Sequence, residues 1–156
     1  MRPVLAVVAG YLIMVIFVMV TLTIAWGLLG SSFAFQSGTT HVTLRWVGLN
    51  LSLSVLAAIA GGYVTMWIAP NDSMLTVKIL AGIILVVGLI MAVAHIFTDP
   101  SVDQQLAQGV VVEGMSAFSA ASEAVQPLWY NFLVPIVGAV GVLIGGRLRG
   151  IEVEEG

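Results

Sequence analysis

The chain has 156 residues, 60% of them hydrophobic and 8% charged, with a formal net charge of −3. A water-soluble domain is about 45–50% apolar and about 25% charged, so so few charged side chains cannot cover a globule of this size. A cytosolic enzyme domain, a disordered tail and, with five Lys and Arg, a nucleic-acid reader are excluded. An integral membrane protein remains. The absence of cysteine removes disulfide redox chemistry, thiolate metal sites, iron–sulfur clusters and Cys-attached haem.

A helix crossing about 30 Å of hydrocarbon needs about 20 apolar residues. Four uncharged stretches meet that length: residues 3–30, 46–70, 79–98 and 128–146. Continuous runs of Leu, Val, Ile and Ala fit helices and not the short alternating segments of a β-barrel. The expected architecture is all-α: a single domain, 1–156, with four transmembrane helices in an antiparallel bundle. They are TM1 at about 3–30, TM2 at about 46–70, TM3 at about 76–98 and TM4 at about 127–148. The first run exceeds the 7–15 residues of a signal core and is read as a retained helix, although Ser32-Phe33-Ala34 resembles a cleavage site.

Orientation follows the basic residues. With both termini cytoplasmic, Arg2, Lys78, Arg147 and Arg149 lie inside and only Arg45 outside, as the positive-inside rule requires. Trp26, Trp46, Trp129 and Tyr130 would then mark the outer interface, with Tyr63 and Trp67 towards the inner one. A bacterial inner membrane is the expected location.

Residues 31–44 read as a polar external loop, and Pro70 with Asn71-Asp72-Ser73 as a tight internal turn that stops TM2 and caps TM3. The long external loop, 99–126, carries Asp99-Pro100 as a helix start. Val102, Leu106 and Val110 recur every four residues, and Met115, Phe118, Ser122 and Val125 continue a helical rhythm. One or two short amphipathic helices on the membrane surface are expected there, with a flexible loop as the alternative.

Lipid gives helices no hydrophobic reason to associate, so small residues mark the contacts. Gly61 and Gly62 in TM2, and Gly141 with Gly145 in TM4, are the expected packing positions. Such stripes serve packing within one chain and self-association alike. Pro135 leaves a carbonyl unpaired in TM4 and is expected to kink it.

The stretch Ala60-Gly61-Gly62-Tyr63-Val64-Thr65-Met66-Trp67-Ile68-Ala69-Pro70 resembles uncharacterised small bacterial four-helix integral membrane proteins, in which a Gly-Gly-aromatic motif precedes an Ile-Ala-Pro exit from TM2. The flanks are similar as well: Val4 to Gly10 at the start, and Leu128-Trp129-Tyr130 to Gly145-Gly146-Arg147-Leu148 at the end. The resemblance implies fold and topology and no activity. Members often carry an acid within or after TM1, where this chain reads Thr21-Leu22-Thr23-Ile24-Ala25-Trp26.

No Asp, Glu, Lys or Arg falls at mid-membrane, which argues against a proton-coupled exporter and a voltage sensor. The remaining polar groups gather by topology near the outer ends: Asn50 in TM2, His95 in TM3, Asn131 in TM4, with Arg45 and Asp99 just outside. They form either an outward-facing pocket or an interhelical hydrogen-bond cluster. In the pocket, His41, His95 and Asp99 could hold a metal, or an amphiphile could sit between the helices; in the cluster, Asn50, His95 and Asn131 satisfy one another. No nucleophile elbow, His-Glu-x-x-His helix or phosphate loop is present, and no catalytic residue or cofactor is expected. Three functions fit, in this order. The first is a non-catalytic structural or accessory subunit, partnered by lipid and by a membrane protein or a second copy. A small-solute or ion conduit is second, and an outer-surface metal-binding enzyme third.

Overall fold

The computed structural model describes residues 2–37, 39–69, 74–98 and 116–154. Among them the chain is mostly helical, with isolated β-bridges and no strand. Six helices follow in order: α1 (Arg2–Leu29), α2 (Ser31–Ala34), α3 (Leu44–Ile68), α4 (Met74–Thr98), α5 (Ala117–Glu123) and α6 (Leu128–Glu154). Four of them, α1, α3, α4 and α6, are long and apolar enough to cross a membrane. A 25-residue helix such as α3 is about 37 Å long, more than the ~30 Å hydrocarbon core.

Local chemistry sets the ends. Gly30, at φ +73°, adopts a backbone that side chains rarely allow and turns the chain out of α1 into α2. Thr43 caps α3: its hydroxyl accepts from the Trp46 amide at 3.3 Å and donates to the Phe33 carbonyl at 2.6 Å. Hydropathy places the start of this helix at Trp46, whereas the cap places it at Leu44, because an exposed Leu44 and Arg45 can stand in the first turn without entering lipid. At the other extreme α6 runs past the apolar stretch to Glu154, since helical hydrogen bonding does not depend on hydropathy.

Packing is unequal. α3 lies against both α1 and α6, and α6 also lies against α4, while α1 and α4 barely meet. The contacts of α3 with α6 bring backbone to backbone. A Cβ on Gly62 would overlap the Val142 carbonyl, and one on Gly145 would overlap the Ile59 carbonyl. A Cβ on Gly141 would come within 2.8 Å of the Ala58 Cβ. Gly61 turns instead to α1, where it faces Met14 and the Gly10 carbonyl, and Gly10 in turn faces Thr65. Close approach of this kind multiplies dispersion contacts, which is what holds helices together when lipid solvates their other faces. Gly88 of α4 meets the Pro135 ring and Gly146 meets Val77, so the α4–α6 contact uses glycine as well.

Two apolar clusters lie at opposite ends of these helices. One gathers Ala58, Met66, Val77, Leu80, Ala81, Ala139 and Val142, with Val7 and Met14 of α1 against it. The other gathers Ala34, Phe35, Val42, Trp46, Val47, Ala120 and Tyr130, with Trp26 against it. The outward faces of α1 and α4 are apolar and exposed, including Leu5, Leu12, Ile16, Ile24, Ile83, Val86, Ile90 and Phe97. Monomers in water rarely expose apolar surface on this scale; lipid is the solvent that fits it.

Candidate functional site

The end of the molecule that carries Trp26 and Trp46 is roofed. Within residues 31–44, expected to form a polar external loop, Phe35, Thr39, Thr40 and Val42 are buried. Backbone pairing causes this. The Gln36 amide donates to the His41 carbonyl at 2.9 Å, Val42 donates to Val125 at 3.1 Å, and Val125 donates to Thr40 at 2.9 Å. Phe35 bridges to Val42, and His41 to Val125. Each of these links satisfies backbone groups that would otherwise be costly to bury. The segment before α3 is thereby tied to the segment before α6.

The helix α5 completes the roof. Ser116 caps it, accepting from the Ser119 amide at 3.2 Å, and Ala120 is buried in the cluster below. Beneath sit three rings. Trp26 meets Phe35 edge-on at 5.7 Å between centroids and Trp46 edge-on at 6.1 Å, the arrangement favoured by the quadrupoles of aromatic rings. The expected interface role of the aromatic residues therefore divides. Trp67 and Trp129 are more than half exposed, but Trp46 and Tyr130 are buried, because the roof covers them.

A cavity of about 350 Å³ remains under the roof, between the end of α1, the start of α3 and α5. Trp26, Phe35, Trp46 and Ala120 form its apolar wall, while Asn50 and Gln126 line it with carboxamides. Neither carboxamide makes a hydrogen bond among the described residues, and both are half-buried. The nearby Thr23 hydroxyl is already used, donating to the Met19 carbonyl of its own helix at 2.7 Å. Among the described residues no charged side chain lines the cavity.

The other polar candidates lie elsewhere. Asn131, in the first turn of α6, and His41, in the roof, do not line this cavity. Asn131 Nδ2 and His41 Nε2 are both buried without a partner among the described residues. Arg45 is exposed at the start of α3. His95 lies in α4, but its side chain, like the whole of Asp99, falls outside the described residues. Among the described residues no three His, Asp or Glu side chains converge as metal ligands would. The contributions of Phe35, Gln126 and α5 to a cavity were not visible in the sequence. Their signal was faint: aromatic and aliphatic residues at Phe33, Phe35 and Val42 inside a Ser- and Thr-rich loop.

A second hollow, an apolar groove of about 610 Å³, runs between α1 and α4, which meet only slightly. Tyr11, Val15, Ile83 and Val87 form its walls, and the half-buried Ser54 with the buried Ala57 and Gly138 of the inner pair line its floor. Bulky side chains on α1 and α4 hold those two helices apart, while the glycines draw α3 and α6 together. At the opposite end of the molecule, the Arg149 guanidinium stands 5.9 Å from the centre of the Tyr63 ring, a cation–π contact that joins the ends of α3 and α6.

No protein-family model, curated protein or solved structure matches the chain.

Proposed function

We propose that this chain is a non-catalytic integral membrane protein: an antiparallel four-helix bundle, with both termini cytoplasmic, that serves as a structural or accessory subunit of a larger membrane complex. The short helix α5 lies at the outer surface of the bilayer. The observation that carries the reading is the groove between α1 and α4. It is apolar along its walls and has the buried, small Ala57 and Gly138 at its floor. Small residues at the base of an apolar groove let a further transmembrane helix approach closely, the contact on which association in lipid depends.

A conduit is the weaker alternative. The backbone contacts of Gly62 with Val142 and of Gly145 with Ile59 leave no width for water between α3 and α6, and the groove between α1 and α4 offers a solute almost no polar group.

Site-specific photo-crosslinking in native membranes tests the subunit role. A crosslinker in place of Val87, on the groove wall, is expected to yield one product of defined added mass. Leu56 and Ile144, exposed away from the groove, provide the controls. A product twice the chain's mass identifies a second copy as the occupant. Crosslinks to lipid alone at Val87 overturn the proposal, and saturable ion or solute flux in proteoliposomes favours the conduit.

A further inference from the structure

The roofed cavity poses a solvation problem that helix packing does not solve. About a dozen waters, at roughly 30 Å³ each, would fill 350 Å³. Most of them would face indole and phenyl rings and alanine methyls, with too few protein partners for the two to four hydrogen bonds a confined water needs. An occupant with an apolar body fits better, and the volume lies in the range of small-molecule sites, about 300–1,000 Å³. The wall is not uniform, however. Asn50 and Gln126 bring carboxamides to it with no hydrogen-bond partner among the described residues. A carboxamide both donates and accepts, so it reads a carbonyl or hydroxyl. An ionised head would lose its hydration here and find no opposite charge among the described residues that line the cavity.

We propose that the cavity is a binding site for an uncharged amphiphile. Its apolar body packs among Trp26, Phe35 and Trp46, and its carbonyl- or hydroxyl-bearing head is held by Asn50 and Gln126. The exposed Met19, Phe118 and Ser122 at the rim place the mouth between α1 and α5. The site borders the groove at Met19, which lines both hollows, but Trp26, Phe35, Trp46, Asn50 and Gln126 line this cavity alone; it shares with the subunit reading the placement in a bilayer. An acylglycerol and a quinone both have the required chemistry.

Tryptophan quenching separates the outcomes. The double variant Trp67→Phe, Trp129→Phe removes the two exposed indoles and leaves Trp26 and Trp46 as reporters. In detergent, this protein is titrated with a brominated monoacylglycerol, a short-chain quinone, a brominated alkane and a brominated phosphatidylglycerol. One of the two neutral amphiphiles is expected to quench saturably, and the tighter one identifies the source. The alkane and the anionic lipid are expected to be at least about tenfold weaker. Loss of one hydrogen bond in Asn50→Leu should raise the midpoint about five- to tenfold. Gln126→Leu, in the segment before α6 and not within a helix, should do the same, and it keeps the test open if the first variant fails to fold. Equal quenching by the alkane or by phosphatidylglycerol overturns the proposal. So does non-saturable quenching by both neutral probes, or a midpoint unchanged in both carboxamide variants that retain helicity and elution volume.

Discussion

The two ends of this molecule solve the same problem, helix association, with opposite materials. Where Arg149 meets Tyr63, and onward towards the middle, α3 and α6 touch through glycine, and backbone lies on backbone with nothing between. At the Trp26–Trp46 end, large rings keep the helices apart, and a folded roof of loop and α5 closes the space they leave. The glycine end has no slack, because a main chain cannot rotate out of the way as a side chain can. The aromatic end retains a cavity. In this bundle, removal of side chains builds the scaffold, and addition of them makes room for a ligand.

The comparison breaks most readily at the seam. Gly62→Leu forces a side chain into the Val142 carbonyl, and the expected loss is about 3 kcal/mol or more, read as detergent-solubilised protein that unfolds early or not cooperatively. Gly145→Leu, facing the Ile59 carbonyl, should match it. At the roofed end, Trp46→Ala removes a buried ring and its edge-on partner. A loss of about 2–3 kcal/mol is expected there, with widened exposure of Trp26 to aqueous quenchers. Thr43→Ala deletes both the cap of α3 and the bond to Phe33, for about 1–2 kcal/mol, and hydrogen exchange should rise first in the roof amides of Val42 and Val125. The smallest effect sharpens the contrast with the opposite sign. Gly82 lies inside α4 with nothing within 4 Å of an added Cβ, so Gly82→Ala should raise stability by about 0.5–1 kcal/mol in an unfolding titration. If Gly82→Ala proves as damaging as Gly62→Leu, close approach is not what distinguishes these glycines.

The four long helices are legible in the sequence because lipid imposes a length and forbids charge, and Asp, Glu, Lys and Arg are easily located. Which glycine faces which helix is not legible. Gly61 and Gly62 are adjacent, yet one turns to Met14 of α1 and the other to Val142 of α6, since neighbouring residues on a helix point about 100° apart. A stripe of small residues marks a face without naming its partner. Asn50 stood out as a polar residue within an apolar run, and it does line the cavity. Asn131 stood out equally, yet does not. The roof was hidden for a different reason. Residues 31–44 are rich in Ser and Thr and read as a polar external loop, but the burial of Thr40 and Val42 goes with hydrogen bonds to Val125, far along the chain. Composition is local; that pairing is not.

The seam between α3 and α6 also bears on the order in which the protein is assembled. A helix that leaves the ribosome early must wait in the bilayer until its partner is made. α1 and α3 can join at once through Gly10 and Gly61, giving the nascent chain a stable hairpin. α4 has no such companion: it meets α1 and α3 only slightly, and its main contacts, Gly88 with Pro135 and Val77 with Gly146, all belong to α6. Until α6 is synthesised, α4 has only its slighter contacts with α1 and α3. The last helix therefore locks two earlier elements in a single step, and a chain interrupted before residue 128 would leave α4 without its main partner.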